Sequence, residues 1–331
     1  MKFIKEKYID MDIMTKQKYI KIIKDKFEKE LSKQLDLTRV SAPLVVTRES
    51  GLQDDLSGTE RAVSFDIAKD GKTVEIVQSL AKWKRMALKR YHLPMHKGLY
   101  TDMQAIRRDD KIDETHSIYV DQWDWEKVID KRDRSLDYLK KIVKKIVKAI
   151  RVTGEYLKEK GFAGTTICED VFFITSQELL DMYPTLDEKE REYEIAKQFK
   201  TVFIMQIGDD LSNGKPHDLR APDYDDWSLD GDLLFYHEVL DMALEISSMG
   251  IRVDKKSLIS QIEKSGKQKR FQYYFHKSIL AEQLPLSIGG GIGQSRLCML
   301  LLGRAHIAEV QSSYWDTKTI EQCKALKIEI L

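Results

Sequence analysis

Cysteine is scarce in this sequence. Cys168, Cys298 and Cys323 are all there are in 331 residues, and no two stand at metal-ligand spacing. A disulfide framework and a thiolate metal site are thereby excluded, and the three read as buried or incidental thiols of a reducing compartment. No run approaches the ~20 apolar residues of a bilayer span, and the opening MKFIKEKYID carries no hydrophobic segment for export. Net charge is nearly absent as well: Lys+Arg 55 against Asp+Glu 54 leaves +1, which gives no general pull toward nucleic acid. Six prolines and 17 glycines are too few and too dispersed to mark a linker. The expectation is one cytoplasmic α+β domain over residues 1–331, built on a mostly antiparallel β-sheet flanked by helices.

What is present is strong periodicity. Tyr19, Ile23, Phe27, Leu31 and Leu35 recur every four residues and predict an amphipathic helix over 15–36. LTRVSAPLVV follows as a strand whose Pro43 confines it to an edge or interface. RAVSFDIAKDGKTVEIVQSL predicts a hairpin about Asp70-Gly71. AKWKRMALKRYHL reads as a short basic helix, and GLYTDMQAIRRDDKIDETHSIYVDQWDW as strand, polar loop, strand. Residues 134–160 form a helix with one aliphatic stripe and an opposite face of five lysines, read as solvated surface. Thr175 and Glu178 make a capping box that starts another helix. TVFIMQIG is a buried strand, GDLLFYHEVL and DMALEIS a strand pair, and helices are expected at 254–264 and 270–283.

Three polar groups lie on or beside apolar strands. Asp232 stands at the start of one strand and Glu245 at the end of the next; if the two pair, the carboxylates approach each other and call for a cation between them. HDLRAPDYDDWS packs Asp218, Asp223, Asp225 and Asp226 among Tyr224 and Trp227, as a folded turn would. Lys84, Arg107, Arg252 and Arg296 supply cations at element ends, where a guanidinium fork suits carboxylate or phosphate. The segment LSIGGGIGQSRLCML fits neither a P-loop nor a dinucleotide fingerprint. Its glycines serve either tight packing into a buried helix or close approach to a nucleotide.

The strand-loop-strand with Arg107 and the glycine segment ending in Arg296 resemble motifs 2 and 3 of the class II aminoacyl-tRNA synthetase catalytic core. The opening helix and Pro43 strand resemble motif 1. EISSMGIR echoes the ELGGG…R segment of aspartyl- and asparaginyl-type synthetases. GLQDDLSG, SLAKWKR, GLYTDMQAIR, YVDQWDWE, RAPDYDDW, ISSMGIRVD and GGGIGQSRL are, in that order, similar to the ammonia-dependent asparagine synthetases, the A-type aspartate–ammonia ligases. The likeness runs from about residue 15 to 305. Leu52 and the SLDGD connection after Trp227 depart from the pattern.

The resemblance implies asparagine synthesis from L-aspartate, ATP and ammonia through a β-aspartyl-adenylate, releasing AMP and pyrophosphate. It implies that Gly289, Gly290 and Gly291 let ATP lie against the sheet, with Arg296 along the nucleotide and Arg107 on the α-phosphate. Asp232 and Glu245 would hold Mg2+. Ser79, Lys84, Gln122, Asp124, Asp225, Ser248 and Arg252 would surround aspartate, Arg252 taking its α-carboxylate. Asp54 would receive ammonium, with Asp55 as its rival. A homodimer through the first helix and the Pro43 strand is also implied. Glutamine as donor is not expected, since the first cysteine stands at 168. Nor is tRNA: residues 1–14 and 306–331 are too short for an anticodon module. A non-catalytic paralogue would tolerate loss of Arg107, Glu245 or Arg296, and all three are present.

Overall fold

The computed structural model describes residues 3–56 and 60–331; Ser57 and Gly58, which end the GLQDDLSG segment, lie outside the described residues. The strands are β1 (Leu37–Arg39), β2 (Val45–Val46), β3 (Ser64–Asp66), β4 (Thr73–Ile76), β5 (Gly98–Ile106), β6 (Tyr119–Val128), β7 (Phe172–Thr175), β8 (Thr201–Met205), β9 (Asp225–His237), β10 (Met242–Arg252) and β11 (Ser287–Gly293). The helices are α1 (Ile13–Leu35), α2 (Ala81–Arg90), α3 (Leu136–Glu159), α4 (Ser176–Met182), α5 (Glu188–Phe199), α6 (Lys255–Lys264), α7 (Tyr274–Leu280), α8 (Gln294–Leu302) and α9 (Thr317–Ala325). Eight strands form one sheet in the order β1-β5-β6-β11-β10-β9-β8-β7, and β2-β4-β3 make a small second sheet. Among the described residues only β1/β5 and β7/β8 pair in parallel in the large sheet. The fold is α+β on a mixed, mostly antiparallel sheet.

The sequence dictates this layering through strand alternation. In YVDQWDWEKV, Trp123 and Trp125 point to one face and Gln122, Asp124 and Glu126 to the other. The tryptophan face continues through Ile288 and Ile292 of β11 and Met249 and Ile251 of β10, all at most 1% exposed. Helices α1, α3 and α8 cover it. On α1, Ile23, Phe27, Leu31 and Leu35 are fully buried inside the chain. The lysine face of α3 is turned outward, with Lys141, Lys144 and Lys148 exposed. No helix among the described residues is long and apolar enough to cross a membrane.

Several boundaries differ from expectation. The single Pro43 strand is two: β1 extends the large sheet and β2 the small one, with Pro43 at the break, where a missing N–H interrupts any ladder. The helix expected at 270–283 is a 3-10 turn, Gln268–Gln272, followed by the short α7. SLDGD is no connection but part of β9, so Asp232 lies inside its strand and Glu245 inside β10. Helix α5, unanticipated, is opened by an Asp187–Glu190 capping box.

Candidate active site

The polar face of the large sheet is the floor of the site. Registers set Gly293 beside Gln122, Gly291 beside Asp124 and Gly289 beside Glu126, while Ser248 and Gly250 of β10 stand beside Gly291 and Gly289. Ser248 and Gly250 in turn face Asp232 and Asp230. The glycines leave space that side chains would fill. A Cβ on Gly289 would overlap the Glu126 carboxylate and come within 2.5 Å of Arg252 Nη2; on Gly291 it would overlap the Gln122 amide. Gly290, expected with its neighbours against the nucleotide, lies on the other face, where a Cβ would meet Met249 Cβ at 2.5 Å. Its carbonyl accepts a hydrogen bond from Lys84 Nζ at 3.0 Å. Gly289→Ala should therefore cost fold stability, visible as a lowered urea midpoint. Gly291→Ala, which meets only a flexible side chain, should keep a urea midpoint near the wild-type value.

A cavity of about 460 Å3 opens above this floor, and Arg107, Gln122, Glu245, Gly291 and Arg296 all line it. Arg107, just past β5, is anchored by Nε donating to Gln78 O at 3.2 Å. Arg296, in the first turn of α8, donates to Thr115 O at 3.3 Å and Glu245 O at 3.0 Å, so its guanidinium spans the cavity between the β5–β6 loop and β10. Asp121 holds α8 in place by accepting from Ser295 N (3.1 Å) and Oγ (2.7 Å).

Glu245 reaches the polar face because of a bulge. It pairs with Leu234, whereas Ser247 pairs with Leu233, so Ile246 is one residue extra. Asp232, 6% exposed, has Oδ2 on the guanidinium of Arg220 and a buried Oδ1 without a partner. Burial, and then the nearby Glu245 charge, push the Asp232 carboxyl up against the pull of Arg220. At Glu245 burial also raises, but Arg296 and Arg220 outweigh it and hold the group down. This donor set fits a magnesium ion bound by one or two carboxylates and completed by substrate phosphates. Among the described residues no group of three or more His, Cys, Asp or Glu would hold an ion by itself.

Next to the cavity is a pocket of buried charges. Lys84, fully buried, pairs with Asp124, whose other oxygen accepts from Leu80 N at 3.3 Å. Burial lowers Lys84 against the attraction of Asp124. Arg252, 1% exposed, donates Nε and Nη2 to Glu126 (3.0 and 2.7 Å) and Nη1 to Asp225 (2.5 Å). Of its five N–H groups, one on each Nη takes no part in these bonds. Ser79 borders Asp54, which is 1% exposed and has an unpartnered Oδ2. Burial raises the Asp54 carboxyl, Lys82 opposing. Asp55 points elsewhere, to Arg270 at 2.8 Å.

Arg107, Gln122, Glu245, Gly291 and Arg296 thus share one cavity; Ser248 adjoins Asp232 on the floor, Lys84 pairs with Asp124, and Arg252 is shared between Asp225 and Glu126. Two participants went unnoticed in the sequence: Arg220, inside HDLRAPDYDDWS, meets Asp232, and Glu126 meets Arg252 across 126 residues; Asp223 stands out in the sequence, but its partners on other elements do not.

The chain matches the Aspartate-ammonia ligase family over residues 14–327. It is 54% identical over 325 residues to "Aspartate--ammonia ligase" of Ruminiclostridium cellulolyticum, covering 97% of this chain and 96% of the relative. It is 54% identical over 329 residues to the protein of that name from Clostridium tetani, covering 99% and 96%. Among solved structures it resembles asparaginyl-tRNA synthetase of Entamoeba histolytica (TM-score 0.64, 15% identity, 90% of this chain and 67% of that one). It also resembles that of Pyrococcus horikoshii complexed with asparaginyl-adenylate (TM-score 0.64, 15% identity, 89% and 68%). The synthetases share its fold, and by sequence the chain belongs to the aspartate–ammonia ligase family.

Proposed function

We propose that this cavity joins L-aspartate to ammonia at the expense of ATP, through a β-aspartyl-adenylate, giving asparagine, AMP and pyrophosphate. The observation that carries the reading is the convergence of Arg107, Glu245 and Arg296 on one cavity in a chain 54% identical to an aspartate–ammonia ligase. A carboxylate is a poor electrophile, so its oxygen first attacks the α-phosphorus. Arg107 neutralises the α-phosphate as charge develops, and Arg296 lies against the adenine, where an arginine plane contributes roughly 0.5–2 kcal/mol. Asp232 and Glu245 would hold magnesium, which when bound neutralises phosphate charge. Arg252 orients aspartate by its α-carboxylate, and Ser79, Lys84, Asp124, Gln122, Asp225 and Ser248 frame the rest. Positioning and fixed charge supply most of the acceleration. Asp54 takes a proton from the nitrogen as the amide forms.

The test is a purified-enzyme assay of AMP and asparagine with ATP, aspartate and either ammonium or glutamine. AMP and asparagine are expected with ammonium alone. ADP as product, glutamine as an equal donor, or AMP formation that requires tRNA would overturn the reading.

A further inference from the structure

Lined by the neighbours of Asp54 on either side in sequence, and sharing no lining residue with the larger cavity, is a second cavity of about 30 Å3, room for a molecule the size of water or ammonia. Gly51, Gln53, Lys82, Arg270, Tyr273 and His276 line it, with Arg48 and Asp55 at the rim. Its walls are unusually ionic for so small a space. One oxygen, Asp223 Oδ2, accepts from Arg270 Nη1 (2.7 Å) and His276 Nε2 (2.8 Å) and is ion-paired with Lys82 Nζ at 2.8 Å. Asp223 is 0% exposed, Lys82 2% and His276 1%. Lys82 also donates to Gln53 O at 3.0 Å, and its charge acts on Asp54.

The protonation state of this dyad follows from its surroundings. Burial would raise Asp223, but Lys82, His276 and Arg270 outweigh it and keep the carboxyl ionised. His276 Nε2 therefore carries the hydrogen that Asp223 accepts, and the lone pair falls on Nδ1. That nitrogen is buried and has no partner. It faces Gly51, whose Cβ, if it had one, would lie 3.5 Å away, and Gly51 is itself part of the cavity wall. A larger residue at 51 would also collide with Tyr273 Cβ at 2.5 Å, with φ at +70°. The lone pair thus looks onto a space sized for one small molecule.

We propose that this cavity is the entrance for the nitrogen substrate and that the Asp223–His276 dyad removes the first proton from ammonium there. The proposal rests on the ligase reading. Ammonium has four hydrogens and the amide keeps two, so two protons must leave. At the entrance an N–H bond of ammonium breaks and Nδ1–H forms; the positive charge passes to the imidazole, where burial, Lys82 and Arg270 oppose it more than Asp223 favours it, so the proton leaves at once to water at the rim. Neutral ammonia continues past Lys82 to the activated carbonyl, and Asp54 takes the second proton once the C–N bond forms. The order has an electrostatic reason. Lys82 and Arg270 face the passage and repel a cation but not ammonia, whereas Asp55 and Asp223 draw ammonium as far as the ring. Other charged or titratable groups about the ring are Arg48, paired with Glu75 at 2.7 Å, Lys267 and Tyr273.

His276→Gln tests this, with His276→Asn as a second variant should the first fold poorly. Three rates are compared with wild type: ATP–pyrophosphate exchange with aspartate, asparagine formation from ammonium between pH 6.5 and 9, and hydroxamate formation from hydroxylamine, which is neutral at pH 7. The expected result is unchanged exchange, unchanged hydroxylamine reaction, and at least about a tenfold rise in the ammonium KM at pH 7, shrinking toward pH 9 as free ammonia increases. Equal loss with both nucleophiles, a loss that does not vary with pH, or no loss would overturn the entrance and leave the ligase reading standing. A wild type that exchanges pyrophosphate yet never forms asparagine would overturn both.

Discussion

Arg252→Met will unfold at a markedly lower urea concentration than the wild type, corresponding to a loss of about 3–5 kcal/mol, the usual consequence of leaving buried charge uncompensated. Among the described residues Arg252 is the sole cation touching both Glu126 and Asp225, and those carboxylates are 0% and 5% exposed. Glu126 has one further donor, Ser287 Oγ at 2.7 Å, which cannot neutralise it. Burial acts to lower the Arg252 guanidinium, but Asp225 and then Glu126 outweigh it and raise it, so the arginine stays charged. The triple variant Glu126→Gln, Asp225→Asn, Arg252→Met removes all the charges and should recover much of the loss. Equal destabilisation of the single and triple variants would instead make packing the dominant contribution. Both should fail to bind aspartate in calorimetry, since the fork that would take its α-carboxylate is gone.

Asp54→Ala should separate the two halves of the reaction. ATP–pyrophosphate exchange with aspartate should continue near the wild-type rate, while asparagine formation falls by about 10²–10⁴-fold, the span of a lost acid–base group. The direction of its shift supports the role: a carboxyl raised by burial accepts a proton nearer neutral pH than an exposed aspartate does. Asp55→Ala should be milder, because the Asp55 carboxylate is engaged by Arg270 at 2.8 Å. A normal rate of amide formation by Asp54→Ala would remove Asp54 from the chemistry.

The elements were readable where one periodicity ran uninterrupted. The four-residue spacing of α1 and the stripe of α3 each announced their buried face. What sequence hid was pairing. Nothing near Glu126 signals that Arg252 will meet it, and nothing near Asp223 points to Lys82 and His276, 141 and 53 positions away respectively in the first case backward and in the second forward. Strand length was hidden too. Asp232 and Glu245 looked terminal because SLDGD and SSMGIR are small and polar, yet these are the residues a sheet uses when one face is a site floor. The triple glycine was legible as a place of close approach, but not that Gly290 would turn toward Met249 while its neighbours turn to the site.

The extra residue at Ile246 has a consequence for how this protein can change. Loops change conformation with little effect, but β10 must keep its bulge. Were the same residues drawn into a regular ladder, with Ile246 paired like the rest, Glu245 would rotate by half a strand period to the side occupied by tryptophans, and Asp232 would face no second carboxylate. Backbone irregularity here is as binding a requirement as side-chain identity: a strand that kept every acidic and basic residue but lost the bulge would still disassemble the site.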